Sequence, residues 1–245
     1  SMDVKNNPAG RLHDILSAAR QQNAHEPARK AWATVFQIEP NDTGTLLKMV
    51  ADLIDLVRET KASIQRLEGV NQELHLRPFI KIEALLSQLN LDAGWEHWKN
   101  QIDETTLYGL QFSADKLSRI SGFTHIPNDE LADIRSKIDD LFNTATDSTL
   151  PHDLKLLLLR NLDAIRLAFV AYRVRGIEGL QEEIERSVGS VLLRQEEIKA
   201  SKPEERRVWQ SFFTLVEQLN KLVTLARNSK ELAAPVMQAL TKLLE

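Results

Sequence analysis

LKLLLLRNLDAIRLAFVAYRVRGIEGLQEEIERSVGSVLLRQEEIK, residues 154–199, decides the fold. Four leucines, Leu156 to Leu159, open it. Further on, apolar residues recur at Ile177, Leu180, Ile184, Val188, Val191 and Ile198. Steps of three, four and seven are helical, and no alternation of period two interrupts them. The first half, Leu154–Val174, is apolar around most of its circumference, as in a helix packed on several sides by others. Lys155, Arg160, Asp163, Arg166 and Arg173 break the run. No uncharged stretch therefore reaches the roughly 18 residues that a membrane span needs.

Gly176 and Gly179 divide the stretch. Each disfavours a helix interior by about 1 kcal/mol relative to Ala, so a break or kink is expected there. Beyond them, QEEIE at Gln181–Glu185 returns as QEEIK at Gln195–Lys199. The offset is two heptads, which brings Ile184 and Ile198 into one seam. Gly189, near Ser187 and Ser190, offers a small surface at which a neighbouring helix could approach closely.

Outward from this stretch the same period continues. Leu12, Ile15, Leu16 and Ala19 share a face after Pro8, and Ala31, Trp32, Val35 and Phe36 do so after Pro27. Asn41–Gly44 caps a long helix over roughly residues 45–68. Its apolar positions Leu46, Val50, Leu53, Val57, Ile64 and Leu67 form a coiled-coil-like seam. Such a seam wants a partner helix, from the chain itself or from a second copy. Further helices are expected over 79–89 and over about 105–120, the latter with Leu107, Leu110, Leu117 and Ile120, and a short segment around Trp95 and Trp98 lies between them. Others are expected over 129–145, from Pro203 to Arg227, and over 231–244. A cap, a proline and first-turn acids mark the start at Ser201–Glu205. The expected fold is all-α, a multi-helix bundle of about nine or ten helices around a central hydrophobic helix, with no β-sheet. Residues 1–7 read as a disordered tail whose Ser1, ahead of Met2, is a tag scar. Residues 8–245 read as one all-α domain, with a subdivision near 70–77 as the alternative.

The 245 residues include no cysteine, which excludes disulfides, thiolate catalysis and cysteine zinc sites. A cytoplasmic location is expected on that ground and on the polar first ten residues. A net charge of −4 gives no general attraction to nucleic acid or to an anionic membrane. The charge is uneven. Residues 70–150 carry 13 acids against 7 bases, whereas residues 201–245 carry 7 bases against 5 acids. The acidic segment reads as a solvated surface or, alternatively, as a docking face for a basic partner.

Catalytic motifs are missing. The six histidines lie far apart in sequence, none follows a glutamate by three residues, and no His-Glu-x-x-His occurs. No metal site and no cofactor are expected. There is no phosphate-binding glycine loop and no Gly-x-Ser-x-Gly elbow. Ser113 and Lys116 fit Ser-x-x-Lys without the motifs that accompany it in enzymes. Trp95, Glu96, His97 and Trp98 form either a core edge with polar neighbours or the wall of a small aromatic pocket.

The balance is against an enzyme. The leading expectation is a non-catalytic helical interaction or regulatory protein that presents helix faces to a protein partner or to a second copy. Asp139, Asp140, Arg206 and Arg207 are its candidate partner-binding residues. The alternative is an enzyme or small-ligand binder with a polar site beside residues 154–175, built from Asp163, Arg166, Tyr172 and Arg173. Nucleic-acid binding comes third, through Arg173 and Arg175 and through Arg206 and Arg207 beside Trp209, where guanidinium and indole could stack on bases. No membrane association is expected.

Overall fold

The computed structural model describes residues 7–120, 126–227, 238–240 and 242–243. Among these, 77% are helical, in twelve helices of which nine run seven residues or longer, and no strand or sheet forms. The protein is an all-α helical bundle. No helix among the described residues is long and apolar enough to cross a membrane. The tail before Asn7, most of the expected loop 121–127 and most of the segment 231–244 lie outside the described residues. Backbone contacts divide the chain into two compact units. One holds Ser1–Phe123 with Arg173–Gly176, and the other holds Thr124–Tyr172 with Ile177–Glu245.

Unit 1 contains α1 (Pro8–Arg20), α2 (Ala28–Phe36), α3 (Thr43–Gln65), α4 (Gln72–Leu76), α5 (Pro78–Ser87), α6 (Glu96–Lys99) and α7 (Glu104–Ser118). Short polar side chains start four of them. Asn7, Asp42, Asn71 and Asp103 each accept a hydrogen bond from a backbone N–H of the first turn of α1, α3, α4 and α7. The seam of α3 is buried along its length at Leu46, Val50, Leu53, Val57 and Ile64. Thr60, its polar member, donates to the Leu56 carbonyl at 2.7 Å and so enters the core satisfied. α3 packs on α1, α2 and α5, so the seam finds its partners inside the unit.

Beside it stands an aromatic cluster. Trp32 meets Trp95 edge to face at 5.2 Å and stacks on Phe36 at 5.6 Å. Trp95 Nε1 donates to the Ala19 carbonyl at 2.9 Å. Both Trp95 and Trp98 are buried, while Glu96 and His97 face water. The aromatic residues are therefore core, with the two polar groups on the surface beside them.

Unit 2 contains α8 (Asn128–Thr146), α9 (His152–Val170), most of α10 (Tyr172–Leu192), α11 (Gln195–Lys199) and α12 (Pro203–Arg227). α8 packs against both α9 and α12. Leu158, Leu162, Ile165 and Phe169 of α9 join Ile138 of α8, Ile184 and Val188 of α10 and Trp209, Phe212 and Val216 of α12 in one apolar core. Burying each such side chain contributes about 1.5–3 kcal/mol. Ile184 and Ile198 are both buried there, as the heptad offset predicts. α10 breaks at Gly176, whose φ of 66° and ψ of −158° are not helical.

Gly179 continues the helix. Gly189 departs from expectation. It is exposed, and an added Cβ would meet nothing within 4 Å, so no helix among the described residues uses its small surface. At the start of α12 the cap is the Glu205 carboxylate, which accepts from the Lys202 N–H at 2.9 Å, and not the Ser201 hydroxyl.

Candidate functional site

α7 carries apolar residues on two faces. Leu110, Ala114 and Leu117 are buried, and Thr106 and Ser113 are buried with them. Tyr108 and Phe112, one turn apart, are out of phase with that stripe and face outward. α5 repeats the pattern, with Phe79, Ile82 and Leu85 inside and Ile80 outside. Leu74 of α4 is also outside. Leu74, Ile80, Tyr108 and Phe112 are 57%, 72%, 56% and 68% exposed. Single exposed apolar residues are ordinary in proteins, but these four line one groove of about 750 Å³. Pro78 and Gly109 line it too, in contact with each other between its two walls.

Three features hold the walls. Gly109 lets the Pro78 ring approach so closely that a Cβ at position 109 would stand 2.5 Å from the proline Cγ. Lys81 of α5 donates to the Asp103 carboxylate, which also caps α7 through the Thr106 N–H at 2.8 Å. The Lys81 hydrogen bond is the main reason that the Asp103 carboxyl falls from 3.8 to about 2, with the Thr106 bonds assisting against partial burial. On the α4 side, His75 Nδ1 and Ser113 Oγ are hydrogen-bonded at 3.0 Å. Ser113 is 0% exposed, so the Ser-x-x-Lys spacing with Lys116 does not present a nucleophile to solvent.

The residues singled out by sequence lie elsewhere. In unit 2, Asp163 and Arg166 do come together: Arg166 pairs with Asp163 at 3.8 Å, with Asp139 at 2.9 Å, and lies 4.6 Å from the Phe142 ring centre. This is a half-exposed ion cluster between α8 and α9. Tyr172 is buried, and its hydroxyl accepts from the Ile126 N–H at 3.4 Å. Arg173 belongs to unit 1, where it donates to the Val35 carbonyl at 2.8 Å.

Arg206 donates to the Lys199 and Ser201 carbonyls at 2.8 and 3.2 Å, which closes the end of α11. Asp140 and Arg207 line a common shallow groove of about 590 Å³ between α8 and α12. Trp209 is 0% exposed; it meets Phe212 edge to face and Phe213 at a tilt in the core and offers no face to a base.

No group of three or more potential metal-ligating side chains forms among the described residues. Comparisons with protein families, with curated proteins and with solved structures returned no match. The chemistry of the unit 1 groove is thus read from its own walls. They are apolar and aromatic, bordered by cations, carboxylates and hydroxyls.

Proposed function

We propose that this is a non-catalytic interaction protein that receives an amphipathic helix of a protein partner in the groove between α4–α5 and α7. The observation that carries this reading is the convergence of Leu74, Ile80, Tyr108 and Phe112 on one open groove. Interface centres favour aromatic and large aliphatic anchors, and a helix laid into a groove engages them at intervals of one turn. Tyr108 and Phe112 have that interval. A small ligand is less suited: a binding pocket encloses most of its ligand, whereas the four apolar side chains of these walls are each exposed over more than half of their surface.

The test replaces Phe112 with the photo-crosslinking residue benzoylphenylalanine, with the same replacement at exposed Arg186 of unit 2 as control. The expected result is one dominant adduct at position 112, mapped by mass spectrometry to an apolar helical segment of one protein. The adduct should vanish in an Ile80→Glu background. Equal adducts at both positions, or one that survives Ile80→Glu, would reject the groove.

A further inference from the structure

Resting on that reading, we infer that the helix bound in the groove is acidic, with carboxylates about one turn from its apolar anchors. Each wall sets a cation beside its anchor. Arg77 precedes Ile80 by three residues, and Lys116 follows Phe112 by four; both line the groove. Its two carboxylates are already neutralised from within. Asp103 holds Lys81, and Asp115 holds Arg119 at 2.8 Å. What remains is positive. Lys116 has no ion-pair partner among the described residues, and Arg77 meets only Glu73, at 3.7 Å with both side chains well exposed. So loose a pair contributes almost nothing and exchanges readily for a better-placed carboxylate.

The sign reverses the one expected from the segment's net charge. Residues 126–150 hold six of the acids against two bases, and residues 70–120 hold seven against five. Most of the acidity therefore belongs to α8 in unit 2. At physiological salt, charges farther than about 8 Å are largely screened, so the groove's own rim governs the preference.

Two synthetic helical peptides test this, tight binding not being required. They share one apolar face with anchors at i, i+3, i+4 and i+7, flanked in one by glutamates and in the other by lysines. Affinity for the full chain is read by fluorescence anisotropy at about 0.05 and 0.3 M salt. The glutamate peptide is expected to bind about tenfold more tightly at low salt, since two exposed ion pairs each contribute up to about fivefold. The preference should shrink at high salt and invert in the folded double variant Arg77→Glu, Lys116→Glu. Equal binding of both peptides, abolished by Phe112→Glu, would overturn the acidic partner and leave the groove standing. Tighter binding of the lysine peptide would also overturn it. Binding of neither peptide at up to about 1 mM, or binding indifferent to Phe112→Glu, would overturn the groove itself.

Discussion

Pro78 rests against the bare Cα of Gly109, and that contact sets how far α5 stands from α7. Gly109 lies in the middle of α7, where alanine would favour the helix by about 1 kcal/mol. The contact works the other way. A methyl group 2.5 Å from a ring carbon must push the ring or the helix aside, and overpacking of this kind costs about 1–3 kcal/mol. Gly109→Ala is therefore expected to lower the urea midpoint and to weaken binding of the glutamate peptide. A variant more stable than the parent would show that the helices part freely.

Phe112 and Leu110 lie two residues apart on α7 but face opposite ways. Phe112→Ala, at a side chain 68% exposed, should change stability by no more than about 0.5 kcal/mol while reducing peptide affinity at least about tenfold. Leu110→Ala, at a side chain with no exposure, should cost about 2–5 kcal/mol. Chemical denaturation and anisotropy on both variants separate the two faces. A large stability loss in Phe112→Ala would mean that the ring belongs to the core.

The helical architecture was legible because its signal is repetitive: the buried apolar positions of α3, the Ile184–Ile198 offset, the Asp42 cap and the proline that opens α12 all occur where periodicity and helix-start chemistry put them. The groove was not, for a physical reason. An apolar residue out of phase with its helix's buried stripe carries no repeat of its own, and Tyr108, Phe112 and Ile80 are all of that kind. α4 spans five residues, too few for a period to show. Trp209 differs from expectation in the opposite sense. Its aromatic character beside two arginines suggested recognition, while the unit 2 core holds the indole; Arg206 stays exposed, with two of its nitrogens on the Lys199 and Ser201 carbonyls.

Two glycines of α10 should respond oppositely to alanine. Gly176 combines a backbone conformation open almost only to glycine with close contact to a buried arginine. A Cβ there would stand 2.6 Å from Arg11 Nη1 and 2.8 Å from its Cζ, and Arg11 Nε is tied to the Val174 carbonyl at 3.1 Å. Gly176→Ala should cost about 2–4 kcal/mol, the sum of backbone strain and displaced packing. Gly189, helical with open space around it, should gain up to about 1 kcal/mol as alanine. Thermal melts that move in the same direction for both would contradict the strain at Gly176.

The Lys81–Asp103 pair gives the groove a pH dependence with a definite sign. The Asp103 carboxyl is held at about 2 in the folded chain against an ordinary 3.8, so the folded state binds the proton more weakly than the unfolded state. Protonation then favours unfolding. The stabilisation is complete above about pH 4 and declines as pH falls toward 2. Lys81 is 60% exposed and Asp103 32%, so solvent screening reduces the contribution to about 1 kcal/mol. Asp103→Asn keeps a competent helix cap and removes the charge. The stability gap between parent and variant should be constant from pH 7 to about 5, shrink below about pH 4 and close as pH falls through about 2. The high-pH gap should also narrow in a Lys81→Met background, because the charge partner is then gone. A gap independent of pH would assign the effect of Asp103 to capping alone.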